Sequence, residues 1–305
     1  MDDTTSAKQD STNISSDKAQ IIEEIRRTIY EVRDLPTLPT VAYEVYRLIR
    51  DPDSNMGDLV EVIEEDVALS SRVLRIANSA YYGVPRKIDN LKMALVILGM
   101  NEVNNMVTTV SVFSLFPEQP GETFFDLKSF WRHSAACAEL TVGLFEGLKM
   151  ICPSSAYIAG LLHDIGKLVL NQYFHEYLVT CMNYAREHQI TLAGAEVKLI
   201  GVDHGHVGSW LSKRWNIPEE INQAIAQHHV RPADSPPYDL PTVIDWADRL
   251  YYMMEGRNID ETVELLDGDH KWKEWHGSKG RPTVDLIKLL YERIDRSLKL
   301  IEIID

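Results

Sequence analysis

The stretch LLHDIGKLVL, Leu161 to Leu170, places three titratable side chains, His163, Asp164 and Lys167, in an otherwise apolar run. Burying such groups without partners costs several kcal/mol each, so they sit at a surface or gather around something that satisfies them. His163 and Asp164 are neighbours, and on a regular helix their side chains diverge by about 100°. Both reach one point only near a helix end or bend, which Gly166 offers. A capping Asp beside a hydrogen-bonded His is the plainer reading of the pair taken alone.

Outward from this stretch the chain reads as helical almost throughout. Ile21, Ile22, Ile25, Ile29 and Val32 recur at 3.6-type spacing, and the prolines of DLPTLPT then force a break. Further amphipathic stretches cover Val41 to Ile49, Met56 to Glu65, Val67 to Asn78, Met93 to Leu98 and Val103 to Phe116. FPEQPGETF is the clearest internal break and marks a subdomain boundary. Beyond it helices are expected at Asp126 to Lys149, Pro153 to His163, past Gly166 to Phe174, Tyr177 to His188, Ala193 to Ile200, His206 to Trp215, Pro218 to His229, Thr242 to Met254 and Val284 to Ile303. No alternating pattern of strand length competes, although runs as short as LVL suit a strand equally. The expected fold is all-α, a two-part helical bundle: a disordered tail over 1–18, a helical subdomain over 19–116, and a second over 126–305 ending in a long helix.

Composition narrows the function. Thirty-one Lys and Arg against forty-six Asp and Glu give a net charge of −15, which argues against nucleic acid and anionic membranes as partners. Cys137, Cys152 and Cys181 show no CxxC spacing and read as buried small apolar residues of a reducing compartment. The polar, acidic N-terminus has neither a basic n-region nor an apolar h-region, so no signal peptide is expected. Apolar runs are broken by charge before the roughly 18 residues of a membrane span. A cytoplasmic location follows as the expectation.

The histidines and acids fall on separate predicted helices. His133 follows Trp131 early in the helix after the break, His204 and His206 lie in VDHGHVG, His228 and His229 end another helix, and Asp248 lies in VIDWADRL. A bundle builds an ion site in this way, from ligands projecting off facing helices. Singly, His133 is explained as a core histidine and Asp248 as a salt-bridge partner.

The order His133, His163-Asp164, His204, His228, Asp248 resembles the ligand order of the HD superfamily of metal-dependent phosphohydrolases. LPTLPTVAYEVYRLI, EEDVALSSRVLRIANSAYYG and the ALVILG stretch look like the N-terminal region of the HDOD family, HD-related output domains of bacterial signalling proteins. AEVKLIGVDHGHVGSWLSKRWNIPEEINQAIAQHH looks like its C-terminal part, so the resemblance runs from about Leu35 to Leu250. It implies one ion on His133, His163, Asp164 and Asp248, and a second on His204 and His228 with Asp164 bridging. His229 rivals His228 for its place. His206 is second choice to His204, because HGHVG spaces His204 and Gly208 as the HD-GYP phosphodiesterases space their HPxxG.

Imidazole and carboxylate donors suit one or two divalent transition metal ions, Fe or Mn first, with Zn, Co or Ni as alternatives, rather than Mg or Ca. Two ions bridged by Asp164 would activate a shared water and clamp a phosphate. Lys167, one turn on, would neutralise a phosphoryl oxygen, or else be a snorkelling surface lysine. Two departures set limits. HHVRPADSPPYDLP carries no GYP, so cyclic di-GMP is not the expected substrate, and Ser129 stands where some relatives place an extra carboxylate ligand four residues before His133. The expected function is a signalling output module that binds a protein partner or a small phosphorylated ligand such as a nucleotide; the alternative is an active phosphohydrolase or phosphodiesterase, with an HD-type di-iron oxygenase as a remoter third. HKWKEWHGSKG, His270 to Gly280, reads as a mobile loop packing one tryptophan, or as a stacking or partner surface.

Overall fold

The computed structural model describes residues 3–32, 35–37, 39–79, 82–117, 124–230, 236–277 and 280–304, of which 3–16, 300, 303 and 304 are described by their backbone alone. In chain order the helices are α1 (Asp3–Glu31), α2 (Thr40–Arg50), α3 (Met56–Glu64), α4 (Val67–Ala77), α5 (Leu91–Leu98) and α6 (Met100–Phe113). Then follow α7 (Leu127–Gly147), α8 (Ala156–Leu162), α9 (Ile165–Tyr173), α10 (His175–His188), α11 (Leu192–Leu199) and α12 (His204–Arg214). The last five are α13 (Glu219–Gln227), α14 (Leu240–Met254), α15 (Ile259–Gly268), α16 (His270–His276) and α17 (Thr283–Ile304). No strand occurs among the described residues, and the fold is all-α. Among the same residues no helix is long and apolar enough to cross a membrane.

Short polar side chains start many of these helices. Asn55, Asp66, Asn90, Asp126, Asp203, Asp239, Asn258 and Asp269 each accept a backbone N–H of the first turn, and Asn55 and Asn258 form reciprocal capping boxes with Asp58 and Glu261. Each such cap stabilises its helix by about 1 kcal/mol.

The chain parts into two compact units, Met1–Leu35 with Leu162–Asp234, and Pro36–Leu161 with Ser235–Asp305. In the first, α12 packs against α9, α13 and α1, and Arg214 donates to the Ile29 and Val32 carbonyls at the end of α1. In the second, α7 lies between α14 and α17, while Val45, Leu59, Ile63, Val73, Leu95 and Val107 from α2 to α6 form a continuous apolar core. Arg293 of α17 reaches Glu139 at 2.7 Å and Glu146 at 2.6 Å, both on α7.

Four features stand beside the expectations. The backbone of residues 3–18 forms part of α1, and residues 1 and 2 of the expected tail lie outside the described residues. The units part between Leu161 and Leu162, inside the HD stretch, whereas residues 118–123 of the FPEQPGETF break lie outside the described residues. The aromatic segment is α16, capped by Asp269, with Trp272 and Trp275 both buried against Trp246 instead of offered to a partner. Cys152 is exposed; Cys137 and Cys181 are buried as expected.

Candidate metal centre

Between α8 and α9 the backbone breaks at the His163–Asp164 pair. Asp164 occupies the position before α9 with φ −97° and ψ 4°, the sparsely populated bridge region, and its carboxylate makes no cap bond. It is spent elsewhere. Oδ1 lies 3.0 Å from His204 Nε2 and 3.7 Å from His228 Nε2, while Oδ2 lies 2.5 Å from Lys167 Nζ and 3.4 Å from His163 Nε2. His163, Asp164, His204 and His228 are all at most 1% exposed. The titratable groups of LLHDIGKLVL thus gather around one another and around the histidines of α12 and α13.

Each imidazole is fixed from behind. His204 opens α12, and Glu196 of α11, wholly buried, accepts both its backbone N–H at 2.8 Å and its Nδ1–H at 2.7 Å on the single oxygen Oε2. His228, at the end of α13, donates Nδ1–H to the Ile225 carbonyl at 2.7 Å. Both rings therefore turn Nε2 toward Asp164. His229 follows at the helix end and sets its Nε2 2.9 Å from that of His204. Adjacent histidines converge here because the helix has stopped.

One donor atom from each of Asp164, His204, His228 and His229 lies within 4.8 Å of the others. Neighbouring donors on one transition metal ion, at bonds of about 2.1 Å, stand about 3 to 3.4 Å apart. The 2.9 and 3.0 Å separations around His204 match that spacing. His228 Nε2 is buried with no hydrogen-bond partner among the described residues, an orphan that an ion would satisfy. Charge points the same way: two buried carboxylates, Asp164 and Glu196, face one ammonium, Lys167. Burial disfavours the charged form of His204, but Glu196 and the bonds to Asp164 and Glu196 outweigh burial and the opposing Lys167, lifting its pKa to about 9. The residues fit a divalent metal ion.

In the second unit, His133 Nε2 on α7 lies 3.3 Å from Asp248 Oδ1 on α14. Cys137, one turn along α7, has its Sγ 3.6 Å from the same nitrogen, and Tyr251 meets the imidazole edge-on at 4.7 Å. Of the four residues expected on one ion, His133 and Asp248 thus belong to this unit, and His163 and Asp164 to the other. His206 turns away: it is half-exposed, and its Nδ1–H binds Asp203 Oδ1 at 2.7 Å. Sequence reading missed Glu196, which lies eight residues ahead of its partner with no motif to mark it. It also missed the nearness of Cys137, although the i, i+4 spacing from His133 was a usable signal.

A family model of the HDOD domain matches residues 35–231. The chain belongs to the HDOD family. This HDOD protein is 26% identical over 244 residues to an uncharacterised protein of Treponema pallidum (strain Nichols), covering 80% of the chain but 45% of that relative. The chain thus spans less than half the length of that curated relative. An HDOD domain protein of unknown function from Geobacter sulfurreducens superposes with a TM-score of 0.75 at 24% identity, covering 94% of this chain and 99% of the other. A protein of Shewanella amazonensis SB2B, provisionally named a phosphohydrolase, gives 0.74 at 24% identity over 92% and 98%. At this identity both establish the shared fold alone.

Proposed function

We propose that this HDOD protein is a cytoplasmic output module of bacterial signal transduction whose Asp164 centre holds a divalent transition metal ion, Fe or Mn, and takes a small phosphorylated ligand such as a nucleotide. The observation that carries the reading is the division of the Asp164 carboxylate. Oδ1 faces His204 and His228, and Oδ2 faces Lys167 at 2.5 Å. A bound ion would supply Lewis acidity toward a phosphoryl oxygen. The chain's own part is to fix the imidazoles through Glu196 and Ile225, to keep the ligand atoms out of bulk water, and to offer the Lys167 ammonium to a second phosphoryl oxygen. Binding so arranged biases whichever protein partner reads the module.

A second reading is hydrolysis of the bound phosphate ester. It is favoured by the presence of every residue that the HD resemblance assigns to metal, and by buried His163 beside Asp164, an imidazole placed to move a proton at the Oδ2 side. Metal analysis of protein purified without chelator, followed by nucleotide titration and phosphatase and phosphodiesterase assays with Mn(II) or Fe(II), tests both. Bound metal and nucleotide without turnover supports the module. Metal-dependent hydrolysis that disappears in Asp164→Ala supports the enzyme, and wild type that takes up no ion overturns both.

A further inference from the structure

We infer that Glu196 is a positioning residue of the metal centre, an outer carboxylate that locks the His204 tautomer and strengthens it as an ion ligand; the inference rests on the metal reading above. Glu196 is completely buried on α11, and its Oε2 takes two hydrogen bonds from one residue, His204 N at 2.8 Å and Nδ1 at 2.7 Å. Its other oxygen, Oε1, is buried with no hydrogen-bond partner among the described residues. A carboxylate in such a place is costly unless positive charge resides nearby. Among the described residues no lysine or arginine pairs with it, and its ion-pair partner is His204. The one residue the structure sets against that carboxylate is His204, through its backbone N–H and its Nδ1.

Holding the proton on Nδ1 leaves the Nε2 lone pair for the ion, and the negative charge behind the ring raises its basicity. Outer partners of this kind are worth about 10- to 100-fold in metal affinity. A backbone role alone would be different, because the acceptor for the His204 N–H does not need to be charged. Glu196→Gln separates the two. Glutamine keeps an oxygen where Oε2 stands, so both hydrogen bonds can survive, while the charge is lost and an amide NH2 takes the buried Oε1 place.

The test is Mn(II) titration, followed by electron paramagnetic resonance, of wild type and Glu196→Gln, with circular dichroism as the check on folding. Wild type that binds Mn(II) and a folded Glu196→Gln that binds it 10- to 100-fold more weakly support the inference. Equal affinity overturns it and leaves Glu196 a structural acceptor, with the metal reading intact. Wild type that binds no Mn(II) overturns the metal reading and the role of Glu196 with it. Should the glutamine variant not fold, proton NMR of Zn(II)-loaded wild type decides: a downfield, slowly exchanging His204 Nδ1–H supports the inference, and its absence overturns it.

Discussion

Gly166 passes so close to the first turn of α12 that a Cβ built on it would collide with the carbonyl oxygen of His204 and come within 2.6 Å of the Gly208 nitrogen. This approach of α9 to α12 is what brings Asp164 to His204. Gly166→Ala must force the two helices apart, with an expected loss of about 2 kcal/mol, the scale of overpacking. Metal affinity should fall with it, because the 3.0 Å spacing between Asp164 Oδ1 and His204 Nε2 opens. Urea unfolding and Mn(II) titration of the variant check both outcomes.

Lys167→Met should separate ion binding from ligand binding. The substitution keeps the apolar stem and removes the ammonium from Asp164 Oδ2. Mn(II) affinity is expected to hold or rise, since a competing cation has gone. Affinity of the Mn(II)-loaded protein for a nucleotide should drop about tenfold, near 1.4 kcal/mol. Unchanged nucleotide affinity would reduce Lys167 to a counter-ion.

Protons should compete with a bound ion for His204. Its folded pKa of about 9 lies above the ordinary 6.5. In metal-free protein the stability contributed by the charged imidazole is therefore complete below pH 6.5 and is lost as pH rises through about 9. Metal uptake runs the other way, strengthening over the same window with release of about one proton per ion. Calorimetric titration in buffers of different ionisation enthalpy measures that proton count.

A different window belongs to Asp203, the cap of α12. Burial favours its neutral form, yet the hydrogen bonds from His206, side chain and backbone, prevail and hold its pKa at about 2 instead of 3.8. The stability this contributes is present above pH 3.8 and lost as pH falls toward 2. Acid unfolding of Asp203→Asn should show less loss across that interval than wild type, with the cap itself retained.

Arg293→Met should destabilise the second unit strongly. The guanidinium bridges Glu139 and Glu146 on α7, and Glu139 is so buried that its pKa is raised despite Arg293. Removing one partner of a buried pair costs about 3 to 5 kcal/mol, because the other charge stays behind. Double substitution with Glu139→Gln should recover a substantial part, read from the melting temperatures of both variants.

The helical periodicity was strong enough in this sequence to locate most helices within a few residues. α15 and α16 escaped because their starts depend on the caps Asn258 and Asp269, and their polar faces dilute the apolar repeat. At the centre, Asp164, His204 and the His228–His229 pair were legible because each sits at a helix boundary, where adjacent polar residues can converge. The choice between His228 and His229 was not open to sequence reasoning, and the structure brings both to Asp164. Glu196 was invisible for a physical reason: its partner is fixed by the packing of α11 on α12, and no local periodicity encodes that.

The ammonium of Lys167 on Asp164 has a consequence for how the protein matures. With Lys167 Nζ 2.5 Å from its central carboxylate, the first unit is expected to reach its fold before an ion arrives, which circular dichroism of chelator-treated protein would check. On the proposed metal reading, loading would then be a separate step after chain collapse, with the ratio of the ion-free and ion-bound forms set by supply of the ion.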